Sequence, residues 1–238
     1  MNLTNKTALI TGASKGIGKA LALSLAKDKV NVGLVARSEK ELSEIKAEIE
    51  AIGSKCLIFV GNVSDESFVK STVRSMLLAF RQIDFMINNA GYGVFKRVDE
   101  IELSEWEDIY ETNVKGTFLF SKEVLKSMKE LKSGHIINIA SDVAKRVFDG
   151  GSLYCSSKYA QDAFSMALRK EVRTFGIKVS VVYSGLVDTM FHVRPQGDPH
   201  HEDWLKPEDM SDSIKFIMAQ PKHVVIDELM IHPLSQEY

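Results

Sequence analysis

The chain has 238 residues, of which 45% are hydrophobic, and a formal net charge of −2, so it is long enough to bury a full-sized core. Near-neutral charge gives no electrostatic attraction for nucleic acid or an anionic membrane, and no apolar run reaches the roughly 18 residues of a membrane span. The opening MNLTNKTALITG shows no secretory signal, and the two cysteines lack metal-ligand spacing. We therefore expect a cytoplasmic protein with reduced thiols that binds neither nucleic acid nor membrane.

Short β-branched runs alternate with longer amphipathic runs along the whole chain. The predicted strands are Thr7–Thr11, Val30–Ala36, Lys55–Val60, Asp84–Asn88, His135–Ala140, Lys178–Tyr183 and Val224–Met230. The predicted helices are Gly16–Asp28, Glu39–Ile52, Asp65–Phe80, Glu105–Leu131, Ser152–Phe175 and Glu208–Ala219. This alternation predicts one α/β domain over residues 1–238, built on a doubly wound parallel sheet of about seven strands flanked by helices. Ligands of such sheets bind beyond the carboxyl ends of the strands.

The first predicted strand runs directly into a glycine-rich loop, TGASKGIGKA. Gly12, Gly16 and Gly18 stand where a dinucleotide site needs a tight turn, close approach to a pyrophosphate and packing of the helix on the sheet. A plain tight turn is the alternative. The place of the loop, after the first strand and at the start of the first helix, favours the dinucleotide site.

The end of the second predicted strand, VARSEK, indicates which dinucleotide is bound. An NAD site usually has an acidic residue near this point, but here Arg37 stands there, and Lys15 lies in the glycine loop. A planar guanidinium matches the geometry of a phosphate. We therefore predict that the cofactor is NADP(H) and that its 2′-phosphate binds to Arg37. The alternative cofactor is NAD, because the acidic Glu39 lies close by in the sequence.

Tyr154 and Lys158, in the segment YCSSK, share one face of a predicted helix because they are four residues apart. One interpretation is that Tyr154 and Lys158 are ordinary surface residues of a solvated helix, with this spacing by chance. The other is an acid tuned by a neighbouring cation, because Lys158 and an oxidised nicotinamide would each favour tyrosinate and lower a pKa that is ordinarily near 10.

Five segments together resemble the classical short-chain dehydrogenase/reductases. They are TGASKGIG (Thr11–Gly18), NNAG (Asn88–Gly91), ETNVKG with Asn113, NIASD with Ser141, and YCSSK (Tyr154–Lys158). The resemblance extends from Leu3 to the C-terminal residue, and the shared order is far more specific than any one segment. It implies a single Rossmann-type domain, an NADP-preferring reductase of carbonyl or 3-oxoacyl compounds, and a homodimer or homotetramer formed through the helices Glu105–Leu131 and Ser152–Phe175.

The resemblance also implies roles for individual residues. Tyr154 gives a proton to the carbonyl oxygen, Ser141 hydrogen-bonds the same oxygen, Lys158 holds the nicotinamide ribose, and Asn113 supports a water that relays protons to Lys158. The implied cofactor-binding residues are Gly12, Ser14, Lys15, Gly16, Ile17, Gly18, Arg37, Asn62, Val63, Asn89, Ala90, Gly91, Tyr154, Lys158, Gly185, Val187 and Thr189. Asn62 replaces the Asp that is usual in the family, and the loss should be small because Asn can still bond an adenine edge. Ser184 replaces the usual Pro, which leaves cofactor affinity and lid order open.

The stretch from about 186 to 206 has no periodic pattern and is predicted to be a lid over the substrate. The predicted substrate residues are Ser141, Val143, Phe148, Tyr154, Leu186 and Met190, with Tyr92, Val94, Leu153, Phe191 and Trp204 as further pocket candidates and Arg146 as a candidate anion contact. His192, His200 and His201 are expected to be solvated rather than to bind a metal, because a polar loop offers no fixed geometry.

The predicted function is NADPH-dependent reduction of a small-molecule carbonyl compound, such as a ketone, an aldehyde or a 3-oxoacyl substrate, to an alcohol. One alternative is NAD-linked oxidation of a secondary alcohol by the same residues. The other is a non-catalytic NADP-binding regulatory protein, which fold alone would not exclude.

Overall fold

A parallel β-sheet forms the centre of the computed structural model, which describes residues 2–191 and 195–237. Its strands are β1 (Thr7–Thr11), β2 (Asn31–Ala36), β3 (Cys56–Val60), β4 (Phe85–Asn88), β5 (Gly134–Ser141), β6 (Ile177–Ser184) and β7 (Glu228–Ile231). Within the described residues the order across the sheet is β3-β2-β1-β4-β5-β6-β7, and every pairing is parallel. The predicted doubly wound sheet of about seven strands is confirmed.

Helices cover both faces of the sheet. They are α1 (Gly16–Lys27), α2 (Glu39–Ala51), α3 (Glu66–Phe80), α4 (Leu103–Ile109), α5 (Gly116–Leu131), α6 (Ser152–Val172) and α7 (Pro207–Met218). Leu21, Ile45 and Ile214 bring α1, α2 and α7 into one buried core cluster. A second cluster joins α3, α5 and α6. Because both faces are covered, β1 (TALIT) is buried along its whole length, with three apolar residues between two threonines.

The strand order reverses between β1 and β4, and this reversal opens a crevice beyond the carboxyl ends of the strands. Thr11, the last residue of β1, holds the two strand ends together. Its hydroxyl accepts hydrogen bonds from the backbone N–H groups of Asn89 and Ala90, each at 3.0 Å. The residues that follow β1, β4, β5 and β6 therefore converge on one side of the sheet.

The predicted helix Glu105–Leu131 is wrong as a single regular element. The chain forms α4, then a π-helical turn over Tyr110–Lys115, and then α5. The π turn contains Asn113, whose side chain is completely buried and bonds across to the backbone of Tyr92 and to Ser157. An inward-facing amide with fixed partners explains the wider turn, and such turns are frequent at functional sites.

The predicted strand Val224–Met230 begins too early. The N–H of Val224 donates to the carbonyl of Pro221 at 2.9 Å and closes a turn, and the chain joins β6 as β7 only from Glu228. Proline favours turns, and the turn that follows Pro221 includes Val224, the first residue of the predicted strand. Among residues 2–191 and 195–237, none of the helices combines the length and hydrophobicity that crossing a membrane requires.

Candidate active site

A cavity of about 1030 Å³ lies beyond the carboxyl ends of the strands. This cavity brings together most of the residues that the sequence predicts to bind the cofactor or the substrate. Those lining it are Gly12, Ser14, Lys15, Gly16, Ile17, Arg37, Asn62, Val63, Asn89, Ala90, Gly91, Ser141, Val143, Phe148, Tyr154, Lys158, Gly185, Leu186, Val187, Thr189 and Met190. Ligands of doubly wound sheets bind at this position.

The glycine loop approaches the cavity because two of its residues cannot carry side chains. Gly12 has a φ of +64°, and a Cβ there would lie 2.8 Å from the Cα of Ala90. Gly18 does not line the cavity, and its predicted contact with the cofactor stays a prediction. A Cβ at Gly18 would lie 2.4 Å from the carbonyl oxygen of Gly12. Gly18 therefore lets α1 pack against the loop.

The N-terminus of α1 fits a pyrophosphate. The helix begins at Gly16, and within the described residues no side chain caps its first turn and no acidic residue lies in it. Its first N–H groups therefore remain available as donors, and the helix dipole favours an anion at this end. Asn89 supports the loop through its amide nitrogen, which donates to the carbonyls of Thr11 at 3.0 Å and Gly12 at 3.1 Å.

Two cations, Lys15 and Arg37, stand beside this N-terminus. Both side chains are exposed and line the cavity, and neither has an ion-pair partner in the part of the chain that the structure describes. Asn62 lies at the same end, where its side-chain oxygen accepts from the N–H of Ser64 at 3.1 Å. The donor set therefore fits the phosphates and adenosine of a dinucleotide.

Tyr154, Ser141 and Lys158 meet at the other end of the cavity. Tyr154 lies in the first turn of α6, Ser141 ends β5, and the ammonium of Lys158 is 5.8 Å from the centroid of the Tyr154 ring. The Lys158 ammonium donates to the carbonyl of Ile139 at 3.2 Å and to the side-chain oxygen of Gln161 at 2.8 Å. The helical spacing thus places both functional groups in the same cavity.

The expected acidification of Tyr154 does not appear in the protein by itself. Burial raises the pKa of the phenol well above its usual value, and a hydrogen bond with Ser141 only partly offsets this effect. Burial also lowers the pKa of Lys158 to about 7, so the ammonium carries much less than a full charge at neutral pH. Desolvation is the largest cause of both pKa shifts, and Tyr154 keeps its proton at neutral pH.

Asn113 lies behind the cavity wall rather than in it. Its side-chain oxygen accepts from the N–H of Tyr92 at 3.1 Å, while its nitrogen donates to the Tyr92 carbonyl and to the Ser157 hydroxyl, each at 3.0 Å. A Cβ on Gly91 would be 3.1 Å from the Asn113 oxygen and 3.5 Å from the Lys158 nitrogen. Asn113 therefore fixes the loop beside Lys158, and its role in a water relay stays a prediction.

Asp142, the residue after Ser141 in the NIASD segment, has no predicted role but is the charged neighbour of the Ser141 hydroxyl. That hydroxyl donates to a carboxylate oxygen of Asp142 at 3.0 Å, and the carbonyl of Ser184 lies 3.3 Å away. The buried Asp142 carboxylate also accepts from Gln236 at 2.8 Å and from the Nε of Arg146 at 2.8 Å. Arg146, the candidate anion contact, is therefore an ion-pair partner of Asp142 in the protein by itself.

The substrate end of the cavity differs in part from the prediction. Tyr92 and Phe191 line it, as does Phe95, which the sequence did not single out. Val94, Leu153 and Trp204 do not line it; Leu153 is completely buried, and Trp204 stacks on His201 with ring centroids 3.9 Å apart. Phe95 follows NNAG by four residues, but a loop has no periodicity from which its side-chain direction could be predicted.

The predicted lid is anchored by one buried carboxylate, that of Asp188. It accepts from the N–H of Gly197 at 2.9 Å and contacts the Nδ1 of His201 at 2.9 Å and the ammonium of Lys206 at 3.3 Å. His201 is only 1% exposed, so its expected solvation is wrong. His192 lies outside the described residues, and among those that are described no cluster of three or more His, Cys, Asp or Glu side chains could hold a metal ion.

A doubly wound sheet with a glycine loop at its switch point, and with Ser, Tyr and Lys in the same cavity, defines a dinucleotide-dependent oxidoreductase. The short chain dehydrogenase family matches residues 6–197, more than half of the chain, and the protein belongs to this family. An uncharacterized oxidoreductase of Staphylococcus aureus strain USA300 is 29% identical over 98% of this chain and 99% of its own length.

Two solved structures extend the comparison. An alcohol dehydrogenase from the archaeon Thermococcus sibiricus, complexed with 5-hydroxy-NADP, has a TM-score of 0.92 and 32% identity and matches over 98% of both chains. A metagenomic short-chain oxidoreductase in complex with NADP has a TM-score of 0.87 and 27% identity over 99% of this chain and all of that one. The chain is thus an oxidoreductase with the fold and binding region of nicotinamide-dinucleotide enzymes.

Proposed function

We propose that the protein is an NADPH-dependent reductase that converts a small-molecule ketone, aldehyde or 3-oxoacyl compound to an alcohol. The observation that carries this proposal is one continuous cavity, lined at one end by the glycine loop and Arg37 and at the other by Ser141, Tyr154 and Lys158. A nicotinamide bound in it would supply a hydride. The protein's own residues would bind the cofactor, orient the substrate and protonate its carbonyl oxygen.

In this proposal Tyr154 is the general acid. Its pKa is raised by burial, so the phenol is protonated at neutral pH and can transfer its proton to an oxygen that gains negative charge. Ser141 donates a hydrogen bond to the same oxygen after turning away from Asp142, its present acceptor at 3.0 Å. In that turn a hydrogen bond to an oxygen with developing negative charge replaces the one to the Asp142 carboxylate.

Lys158 and Asn113 position the reacting groups. The Lys158 ammonium is held by Ile139 and Gln161 on the cavity wall, where it can donate to ribose hydroxyls. Asn113 is the predicted support for a water beside Lys158, and the amide is already fixed by Tyr92 and Ser157. We assign both residues to proton supply and orientation.

The preference for NADP is part of the proposal. Arg37 and Lys15 are exposed cations at the adenosine end, and a 2′-phosphate would pair with them. The NADP complexes of the similar structures support this assignment. The sequence predicts the NAD-linked alcohol dehydrogenase alternative from Glu39, which does not line the cavity. Glu41 does line this end and could accept a hydrogen bond from a ribose hydroxyl.

We further propose that copies of the chain form a homodimer or homotetramer through α5 and α6. Phe118 on α5 and Tyr159 and Met166 on α6 are 42–43% exposed, and Phe118 meets Phe164 edge to face with centroids 6.3 Å apart. Exposed apolar side chains on adjacent helices are typical of an interface. Sedimentation velocity tests this proposal, and a monomer at micromolar concentration would contradict it.

The expected cytoplasmic location, without nucleic-acid or membrane partners, also remains a proposal. A net charge of −2 and two buried free thiols support it. Cell fractionation with an antibody against the chain tests it directly.

The decisive experiment for the function follows the oxidation of NADPH and of NADH over a panel of ketones, aldehydes and 3-oxoacyl thioesters. The proposal predicts turnover with NADPH and a kcat/KM for NADPH at least tenfold above that for NADH, since a charge-assisted phosphate contact contributes about 1.5–3 kcal/mol. Preference for NADH with alcohol oxidation would favour the second candidate. Tight NADPH binding without turnover on any carbonyl would favour a non-catalytic regulatory protein.

A further inference from the structure

Four apolar side chains line the substrate end of the cavity, where Tyr154 lies. Phe95, Phe148 and Met190 are 46%, 42% and 51% exposed, and Phe191 is partly buried. The ring centroids of Phe95 and Phe191 lie 5.4 and 5.5 Å from that of Tyr154. We name Phe95, Phe148 and Phe191 the aromatic wall.

The rings of the aromatic wall do not pack as a closed core. Phe95 lies 5.8 Å from Phe148 at an interplanar angle of 49° and 6.2 Å from Phe191 at 62°. Tilted and edge-to-face rings at these distances can accept a further ring in the same geometry. Covering their exposed surface is favourable in proportion to the apolar area removed from water. The aromatic wall therefore favours a flat apolar ligand next to the proton donor.

The charged groups at this end do not offer a site for an anion. In the described part of the chain, Arg146 and Lys158 are the cations that line the cavity near Tyr154. Arg146 is paired with Asp142, whose carboxylate is 4% exposed. Lys158 is held against the wall by Ile139 and Gln161, and because burial lowers its pKa to about 7 it carries much less than a full charge at neutral pH. A second carboxylate would be placed close to Asp142, and a like charge in a poorly solvated site is costly.

We propose that the substrate is a neutral ketone or aldehyde with an aromatic or comparably flat apolar group, which the aromatic wall binds, and that Phe95 determines this preference. Carbonyl compounds that carry a carboxylate are poor substrates. The inference rests on the proposed reductase function, and it narrows the substrates to one chemical class.

Two methyl ketones that differ in one group test the proposal. With NADPH, 4-phenylbutan-2-one is expected to show a kcat/KM at least tenfold above that of 4-oxopentanoate, in which a carboxylate replaces the phenyl ring. Phe95→Ala should reduce the preference for 4-phenylbutan-2-one over butan-2-one about tenfold, mainly through KM, because an apolar pocket discriminates by roughly 10–200-fold. Phe216→Ala, which removes a 59% exposed ring on α7, is the matched control.

A binding measurement separates failure of this inference from failure of the proposed function. Calorimetric titration of 4-phenylbutan-2-one into protein with saturating NADP⁺ should give an affinity about tenfold weaker for Phe95→Ala than for wild type and Phe216→Ala. If neither ketone is reduced but this difference is found, the reductase function fails while the aromatic wall stands. Equal affinity in all three proteins would overturn the inference. A kcat/KM for 4-oxopentanoate above that for 4-phenylbutan-2-one would also overturn it, as would a selective loss of 4-oxopentanoate reduction in Arg146→Met.

Discussion

The buried ammonium of Lys158 makes the stability of the protein depend on pH. Burial lowers the pKa of Lys158 to about 7 in the folded chain, whereas an unfolded lysine has a pKa of about 10.4. Between these values the unfolded chain binds one more proton than the folded one. Stability therefore rises with pH, by at most about 1.4 kcal/mol per pH unit, and on the order of 4 kcal/mol is lost as the pH falls from 10 through 7.

Urea unfolding of the cofactor-free protein at pH 7, 8, 9 and 10, at fixed protein concentration, measures this dependence. Lys158→Met keeps the aliphatic stem but removes the proton, so groups that titrate in both proteins cancel in the difference. The free energy of unfolding of wild type should rise relative to the variant by about 1 kcal/mol per pH unit. Lys40→Met, on the exposed surface of α2, should show no such trend. A constant difference between wild type and Lys158→Met from pH 7 to 10 would refute the reasoning.

Three further outcomes are expected. Arg37→Ala should raise the KM for NADPH about tenfold or more and leave that for NADH within twofold, because one phosphate contact is lost; unchanged NADPH kinetics would contradict the NADP assignment. Asp188→Asn should lower the free energy of unfolding in urea by about 1–2 kcal/mol, as buried hydrogen bonds to the lid weaken, whereas the exposed Asp212→Asn should stay within 0.5 kcal/mol; equal effects would argue against the anchor. Burial lowers the pKa of His135 to about 3, so wild type should lose stability as the pH falls from 6.5 towards 4, and His135→Gln should lose less over the same range; parallel curves would contradict this effect.

The sheet and the ends of its strands could be predicted because their signals are local. Apolar runs of strand length alternate with helical periodicity, and the glycine loop, Ser141 and Tyr154 follow or open particular elements. Parallel strands then bring these positions to one side. The short-range patterns failed where a tertiary contact decides the backbone, as at the π turn around Asn113 and at the late start of β7.

The parts of the site that the sequence did not predict have no local signal in the sequence. Gln236 reaches Asp142 across 94 residues of sequence, and only the folded chain shows that Arg146 is neutralised by the same carboxylate. The sequence predicts that His201 is a solvated loop residue, whereas in the folded chain it is buried, bonded to Asp188 and stacked on Trp204. Burial raises the pKa of Tyr154 in the protein by itself, and this effect has no sequence signal because the degree of desolvation depends on the packed cavity.

Tyr154→Phe tests the central proposal most directly, because it removes one hydroxyl and keeps the ring that packs against Phe95 and Phe191. Single-turnover oxidation of NADPH by a ketone substrate measures the reacting step, and NADPH fluorescence measures binding. The account predicts a rate at least 100-fold lower, in line with the roughly 10²–10⁴-fold contribution of a general acid, and an unchanged Kd for NADPH. A rate within tenfold of wild type, with NADPH bound normally, would contradict it.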